Sequence, residues 1–316
     1  MAPPFKIAIR ADGSKLIGLG HVMRCGALAN ALAEIGARIA WLTTTPQHLP
    51  AGLSHAVEPV QLDNDEQLAD ALTARNIHHL VADWHRTDPQ RVHSLRANGV
   101  HVSLVGNFLQ DAVPDLHIRQ GFLPGMSPSG APTLSGPKYL LLPASCEALP
   151  PRPVAATARR VLLSLGGTDS PLLARIRDRL AQGFPAIEVD GRGPVGNGPI
   201  PPLTEAMRRA DIGILAGGTS LHEAAATGLP SLCLPIAANQ FERAGHFDSA
   251  GLGISLDPAD PGFDQQFDTA LAGLVSDQAG RQDMARTGQA LVDGGGARRV
   301  ATHLAALITA GTSEIQ

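Results

Sequence analysis

The feature that most constrains the fold is an apolar strand, a glycine-bearing loop and an amphipathic helix, in that order, near the start of the chain. Lys6–Arg10 is predicted to be the strand and Val22–Ile35 the helix. Gly18 and Gly20 lie in the loop between them, and a second apolar strand, Arg38–Thr43, follows the helix. This β-loop-α-β order predicts parallel strands joined by a right-handed crossover, and therefore an α/β fold.

The alternation of strands and helices continues along the chain and indicates two domains. Further strands are predicted at Val57–Leu62, His79–Ala82, Val100–Val105, Leu116–Ile118, Lys138–Leu142, Arg160–Leu165, Ile187–Val189, Ile212–Leu215 and Pro230–Pro235. A length of 316 residues exceeds what one hydrophobic core usually holds. The proline-rich stretch Pro143–Ala158 is the best linker, so we predict domains at 1–148 and 154–316. Ligands of such sheets bind outside the carboxyl ends of the strands, and a cleft between the two domains is the natural site.

Composition excludes several classes of function. The net charge is −4 with no basic block, which argues against a nucleic-acid partner. The three cysteines, Cys25, Cys146 and Cys233, form no C-x-x-C motif, so neither a zinc site nor a disulfide framework is predicted. The chain begins without the apolar core of a signal peptide, and no apolar run approaches ~20 residues. We therefore expect a cytoplasmic protein without a membrane span, a metal or a cofactor, and we favour a monomer over an oligomer.

The first candidate site is the loop that carries Gly18 and Gly20. A glycine loop followed by a helix N-terminus favours a phosphate group, and His21 lies where the loop becomes the helix. His21 is therefore a candidate general base, although packing or capping a turn is the alternative. The loop is no dinucleotide fingerprint, because Met23 occupies the third glycine position and Arg38–Thr43 supplies no acidic residue for a ribose.

The second candidate site follows the predicted strand Ile212–Leu215. Gly218, Thr219 and Ser220 precede a helix there and are predicted to bind a diphosphate through amides and hydroxyls. Glu223, one turn into the helix, is a candidate acceptor of hydrogen bonds from a ribose. The alternative is a capping box in which Ser220 and Glu223 only satisfy the helix terminus. The neighbouring His222 is expected to be structural.

Other polar residues follow predicted strands and are weaker candidates. Gly167 and Thr168 permit close approach of a phosphate, or else form a tight turn that caps the next helix. Asn239 and Gln240 are candidates to bind a sugar or a base, or else begin a helix. Asp83 ends a strand of the first domain, where it either orients His21 or a water, or caps the helix that follows.

Four segments carry a resemblance to a known family. The first is IAIRADGSKLIGLGHVMRCGALANAL, which holds an Arg and an Asp followed by I-G-x-G-H-x-x-R; the others are Gly136–Pro143, Ser164–Asp169 and Gly217–Gln240. Together they resemble the nucleotide-sugar hydrolases of pseudaminic acid biosynthesis, which cleave UDP-2,4-diacetamido-2,4,6-trideoxy-β-L-altropyranose. Gly217–Gln240 is also similar to GT-B glycosyltransferases, a broader group.

The resemblance implies a fold and a mechanism. The fold would be GT-B-like, with two Rossmann-like domains facing each other across a cleft and the nucleotide bound mainly by the C-terminal one. His21 would activate a water that attacks the anomeric carbon with inversion, without a metal. Asn239 would position His21 or the sugar, and Glu223 would bind the ribose. The nucleotide sugar is the only partner that the resemblance implies.

The chain departs from the family on the sugar side. The usual Asp-x-Tyr is Asp83-Trp84-His85 here, and a following Asp-Asp pair is Gly106-Asn107. The Arg and Phe that usually follow the Gly136–Pro143 segment are absent. Two alternatives to a hydrolase therefore stay open: a GT-B glycosyltransferase that uses a UDP-sugar donor, and a protein that binds a nucleotide sugar without catalysis.

Overall fold

A computed structural model describes residues 5–14, 17–106, 111–166, 170–192 and 203–313 of the chain. The described residues separate into two compact units. The first consists of Met1–Ala144 together with Gly295–Gln316, and the second of Ser145–Gly196 together with Pro202–Gly294. In the part of the chain that is described, no helix has both the length and the apolarity needed to cross a membrane.

The first unit contains a seven-stranded parallel sheet in the order β3-β2-β1-β4-β5-β6-β7. Its strands are β1 Lys6–Ala11, β2 Arg38–Thr43, β3 Val57–Gln61, β4 His79–Asp83, β5 His101–Val105, β6 Leu116–Ile118 and β7 Thr133–Leu134. Its first three helices are α1 Gly20–Glu34, α2 Leu68–Ala74 and α3 Pro89–Ala97. Because helices cover such a sheet, its inner strands are buried on both faces and read from the sequence as largely apolar runs, whereas the edge strand β3 is mostly exposed.

The strand order of the first sheet has one point of reversal. The chain winds outward from β1 to β2 and β3, and then outward on the other side from β4. The order therefore reverses between β1 and β4, and ligands bind at such a reversal, beyond the carboxyl ends of the strands. Ala11, the last residue of β1, pairs with Asp83, the last residue of β4.

The second unit contains a five-stranded parallel sheet in the order β12-β11-β10-β8-β9. Its strands are β8 Arg160–Ser164, β9 Glu188–Arg192, β10 Ile212–Ala216, β11 Ser231–Leu234 and β12 Gly253–Ser255. Its helices are α4 Pro171–Gly183, α5 Thr204–Arg209, α6 Ser220–Thr227, α7 Phe241–Ser249, α8 Phe263–Ser276 and α9 Gln278–Leu291. Here the order reverses between β8 and β10, so the loops that follow these two strands are at the expected ligand position. The predicted α/β fold with two Rossmann-like sheets is confirmed.

The helix α10, Gly296–Ser313, returns to the first unit and packs against α1. Val300, Ala301 and Leu304 are buried, which places an apolar stripe along one face of the helix. Gly296 permits close contact, because a Cβ there would lie 2.2 Å from the Leu140 carbonyl oxygen. The predicted boundaries, 1–148 and 154–316, place this helix in the second half, whereas its contacts place it in the first unit.

The predicted strand Lys138–Leu142 is wrong. Residues Pro137–Tyr139 form a short 3-10 helix, and the buried leucines after it have no strand partner among the described residues. The side chain of the buried Gln120, and not a neighbouring strand, forms hydrogen bonds with the backbone of this segment. Its Oε1 accepts from the Leu141 amide at 2.9 Å and its Nε2 donates to the Tyr139 carbonyl at 3.2 Å. An apolar run can therefore be buried without joining a sheet.

Candidate functional site

The loop between β1 and α1 presents His21 at the carboxyl edge of the first sheet. Gly18 has a φ of +81°, a conformation that favours glycine, and its amide donates to the Ser14 carbonyl at 2.9 Å. This closes the loop before the helix begins at Gly20, two residues earlier than predicted. His21 is thus the second residue of α1, and 16% of its side chain is exposed.

His21, Arg24 and Asp83 form a compact hydrogen-bonded cluster. Asp83 Oδ1 lies 2.7 Å from His21 Nδ1. Arg24 donates to the same carboxylate through Nε, at 2.5 Å from Oδ2, and through Nη2, at 2.6 Å from Oδ1. Arg24 Nη2 is also 3.1 Å from His21 Nδ1. Arg24 and Asp83 are buried, so the cluster is a charged pair with a partly exposed imidazole at its surface.

The charge of Asp83 determines which nitrogen of His21 carries hydrogen. Burial on its own raises the pKa of Asp83, but the charge of Arg24 and the hydrogen bonds from His21 and Arg24 lower it from 3.8 to about 2. Because the ionised carboxylate only accepts, Nδ1 of His21 donates to it. Nε2 is then the nitrogen that can accept a proton, which is the arrangement of a general base oriented by a carboxylate.

Arg24 was missed as a site residue by sequence reasoning. Arg24 is the arginine of the motif I-G-x-G-H-x-x-R, but the motif alone does not indicate what this arginine does. A helical signal was available, because residues three apart lie on one face of a helix and so place Arg24 beside His21. Cys25 is a further neighbour, with Sγ 3.6 Å from Asp83 Oδ2. Burial raises the pKa of this thiol well above its ordinary value, which disfavours the reactive thiolate.

A second polar network, also missed, joins the ends of neighbouring strands. Asp12 accepts from Arg10 Nη2 at 2.6 Å, from Thr43 Oγ1 at 2.8 Å and from the Thr44 amide at 2.7 Å. Arg10 Nε donates to Asp65 Oδ1 at 2.6 Å. Burial opposes ionisation of Asp12, but Arg10 and the hydrogen-bond donors lower its pKa to about 2. The network fixes the turn that leads from β1 towards the glycine loop.

Of the residues that depart from the family pattern, His85 lies beside His21 and Trp84 lies on the core of the first unit. His85 is exposed, and its ring lies edge-on to that of His21 with 6.1 Å between the centroids. Trp84 packs on the core of the first unit, and the Arg91 guanidinium lies 5.8 Å from its ring centroid. Asn107 lies outside the described residues.

In the second unit, the predicted diphosphate loop follows β10, beside the reversal of the strand order. Thr219 is the N-cap of α6 and makes no side-chain capping bond, while Ser220 is the first residue of the helix. The proposed capping box of Ser220 with Glu223 is therefore wrong, because Ser220 is not at the cap. Thr204 Oγ1 donates to Glu223 Oε2 at 3.3 Å instead.

Glu223 is a buried carboxyl group within a small polar cluster. Ser145 Oγ donates to Thr204 Oγ1 at 3.0 Å, and Cys146 Sγ lies 3.4 Å from the same hydroxyl. Burial raises the pKa of Glu223 from 4.5 to about 7, against the opposing bond from Thr204. Its role in binding a ribose stays a prediction. The adjacent His222 is buried, as expected of a structural residue.

Gln240 and Arg243 shape the loop from the other side. A Cβ on Gly217 would lie 2.8 Å from the Cβ of Gln240, so the close approach requires glycine. Gln240 Oε1 accepts from the Ile236 amide at 3.0 Å, within its own turn. Arg243 Nη1 donates to the Gly217 carbonyl at 3.0 Å and places a cation at the loop. Sequence reasoning missed Arg243, which lies three residues beyond the quoted motif.

The predicted roles of Asn239, Gly167 and Thr168 stay predictions. Asn239 is exposed in the short 3-10 helix Ala238–Gln240, and its predicted action on His21 or a sugar stays a prediction. Gly167 and Thr168 lie outside the described residues. Among the described residues, no group of three or more His, Cys, Asp and Glu side chains is arranged to hold a metal ion.

Comparison with solved structures identifies the class of fold. The spinosyn forosaminyltransferase SpnP superimposes with a TM-score of 0.68 at 17% identity, covering 96% of this chain and 99% of SpnP. The glycotransferase of kitacinnamycin gives a TM-score of 0.65 at 16% identity, covering 95% and 98%. At this identity the similarity shows the fold: the chain has the GT-B fold of glycosyltransferases, with two Rossmann-like domains.

A relative in sequence has a similar length. The spore coat polysaccharide biosynthesis protein SpsG of Bacillus subtilis (strain 168) is 26% identical over 339 residues. The alignment covers 94% of this chain and 97% of SpsG. No protein-family model matches the chain.

Proposed function

We propose that this protein is an enzyme of glycan biosynthesis that transfers a glycosyl group from a nucleotide sugar to a hydroxyl acceptor. The observation that carries the proposal is the His21–Asp83–Arg24 cluster at the reversal of the first sheet. The fold shared with glycosyltransferases supports it, as does the similarity to a polysaccharide biosynthesis protein.

In the proposed reaction, His21 Nε2 takes the proton of the acceptor hydroxyl. The acceptor oxygen forms a bond to the anomeric carbon, and the bond from that carbon to the diphosphate oxygen breaks. The electron pair leaves with the nucleoside diphosphate, and the configuration at the anomeric carbon inverts. The Asp83 carboxylate stabilises the imidazolium ion that forms, and Arg24 keeps that carboxylate ionised.

The second unit is proposed to bind the nucleotide. Donors near the start of α6, at Gly218, Thr219 and Ser220, would hydrogen-bond the diphosphate, and the helix N-terminus favours its negative charge. The Arg243 guanidinium adds a positive charge at the same loop. Together these groups would stabilise the departing diphosphate. Glu223 is proposed to bind the ribose.

Hydrolysis is a second candidate, because the segment that holds Ile17-Gly18-Leu19-Gly20-His21 and Arg24 resembles the nucleotide-sugar hydrolases. A water would then replace the acceptor hydroxyl, and the same nitrogen of His21 would take its proton. His21 would remove a proton from the nucleophile in both reactions. The reactions differ only in whether that nucleophile is an acceptor hydroxyl or water.

Turnover assays with and without acceptors separate the candidates. The purified protein is incubated with UDP-sugars and dTDP-sugars, alone and with a set of saccharide acceptors, while nucleoside diphosphate and free sugar are measured. Transfer predicts diphosphate release that requires an acceptor, together with a new glycoside. Release of free sugar without an acceptor would contradict transfer and support hydrolysis. Nucleotide-sugar binding without release would contradict both and favour the non-catalytic alternative.

The substitution Gly218→Ala tests the diphosphate loop. A Cβ on Gly218 meets nothing within 4 Å, and its φ lies outside the left-handed region, so the free protein accommodates the methyl group. A phosphate that approaches this backbone would meet the methyl group. We expect an unchanged melting temperature and an affinity for UDP or dTDP that falls about tenfold, or ~1.4 kcal/mol. Calorimetric titration measures the affinity.

Two further glycine substitutions serve as comparisons. Gly245→Ala, in α7, also meets nothing within 4 Å and controls for a general effect of the added methyl group. Gly217→Ala is expected to destabilise the fold by about 1–3 kcal/mol, because its Cβ would overlap Gln240. Unchanged nucleotide affinity in Gly218→Ala would remove this loop from the proposed site.

A further inference from the structure

His117 is a fully buried histidine that the proposed chemistry does not use. It is the middle residue of β6 and has no exposed surface. Its Nε2 donates to the Gly106 carbonyl oxygen at 2.7 Å. The Gly106 amide donates to the Ile118 carbonyl at 3.1 Å. Both backbone groups of Gly106, which directly follows β5, are therefore held by β6.

Burial of His117 lowers the stability of the folded protein, because one of its ring nitrogens has no hydrogen-bond partner among the described residues. Because Nε2 donates to Gly106, Nδ1 of the neutral ring is an acceptor, and it is buried without a partner among the described residues. An unsatisfied buried polar atom destabilises the folded state. An apolar side chain would avoid that cost but would leave the Gly106 carbonyl without this donor. The bond to Gly106 is therefore the distinctive contribution of His117.

Gly106 lies near the guanidinium of the proposed site. Its φ is +124°, which an L side chain rarely adopts, and a Cβ there would lie 4.0 Å from Arg24 Nη2. That nitrogen is the one that donates to Asp83 Oδ1 and lies 3.1 Å from His21 Nδ1. Gly106 therefore lies near the atom that approaches both other members of the cluster.

We infer that His117 is a positioning residue, which holds the backbone of Gly106 in place beside Arg24 and thereby helps to keep Asp83 and His21 in their observed geometry. The inference rests on the proposed function in taking His21 as the base. Its physical basis is that small displacements of a reacting group lower the rate steeply, about 10²-fold for 1 Å. His117 itself touches no substrate.

The test compares His117→Leu with His117→Gln. Leucine removes the donor, whereas glutamine retains an N–H group that can reach the Gly106 carbonyl. We expect His117→Leu to keep its fold, because it removes both a hydrogen bond and an unsatisfied nitrogen. Its kcat should fall about 10–100-fold with little change in KM. His117→Gln should recover most of that loss. His79→Leu, in the first position of β4 at the amino-terminal edge of the same sheet, is the control.

A readout without turnover keeps the inference separate from the proposed function. In protein labelled with ¹⁵N-histidine, nuclear magnetic resonance reports which nitrogen of His21 carries hydrogen, and the signal is assigned by its loss in His21→Ala. The wild type should show hydrogen on Nδ1, and His117→Leu should show a mixture of both forms. If leucine prevents folding, His117→Met, which also lacks a donor, takes its place. An unchanged His21 signal in a folded variant without the donor would overturn the inference, whether or not the protein turns over a nucleotide sugar.

Discussion

Replacing His21 by alanine is expected to lower turnover about 10²-fold or more while the affinity for UDP or dTDP is retained. General-base catalysis contributes a factor of this size, and the nucleotide is proposed to bind to residues of the second unit. The fold should persist, because Asp83 keeps both hydrogen bonds from Arg24 and no buried carboxylate is left unpaired. Steady-state release of nucleoside diphosphate measures turnover, and calorimetric titration measures affinity.

His55→Ala is the matched control, since His55 is an exposed histidine of the same unit. It should leave turnover within about twofold of the wild type, in line with the small effects of exposed substitutions. If His21→Ala turned over nucleotide sugars at the rate of the His55 variant, His21 would not be the base.

Replacing Asp83 by asparagine is expected to damage both stability and turnover. The change leaves the charge of the buried Arg24 without its carboxylate, and breaking a buried pair in this way costs about 3–5 kcal/mol. The amide also no longer selects hydrogen on Nδ1 of His21, so turnover should fall at least as far as with His21→Ala. Urea unfolding measures the free energy. Asp70→Asn, which removes the same charge from an exposed site on α2, should change the free energy of unfolding by less than about 0.5 kcal/mol.

The effect of Asp83 on stability should depend on pH in a defined direction. Its pKa is lowered from 3.8 to about 2 in the folded protein, mainly by Arg24 acting against burial. A carboxyl group with a lowered pKa contributes stability that is complete above pH 3.8 and is lost as the pH falls towards 2. The difference in unfolding free energy between wild type and Asp83→Asn should therefore narrow over that interval. An equal difference at pH 5 and pH 2.5 would contradict the assigned ionisation.

Local sequence signals predicted most of the elements of the fold. Arg38–Thr43 and Leu116–Ile118 are strands with the predicted bounds, because buried parallel strands are apolar on both faces and end at polar or glycine residues. The helices Phe263–Ser276 and Gln278–Leu291 are also as predicted. In each case, residues close together in the chain determine the structure.

Other predictions from the sequence were wrong or incomplete, mostly because they depend on contacts between residues that are far apart in the chain. Lys138–Leu142 has the composition of a strand, but Gln120, about twenty residues earlier, supplies its backbone bonds. The apolar face of α10 predicts a packed helix without naming the partner, which is α1. The same limit applies to Ser220 and Glu223, whose spacing fits a capping box although the helix begins one residue too early for it.

The candidate site was accessible to sequence reasoning in part. His21 and Asp83 follow or end strands whose carboxyl ends meet, so their proximity could be expected from the topology. Their hydrogen bond and the role of Arg24 required coordinates, because the depth of burial and the direction of a side chain are not local properties. Arg243 and His117 donate hydrogen bonds to backbone carbonyl oxygens. Every residue has such a carbonyl, so the sequence cannot indicate which one is the partner.

The packing of α10 on α1 has a consequence for biosynthesis. The ribosome makes α10 after the whole second unit, whereas it makes α1, which carries His21 and Arg24, before that unit. During translation, the face of α1 that α10 covers stays exposed until more than 250 further residues have been added, as the positions of Glu34 and Gly296 show. The first unit therefore cannot finish folding as the nascent chain emerges, in contrast to domains that fold in order from the N-terminus. Synthesis of the second unit therefore precedes formation of the packed pair of α1 and α10.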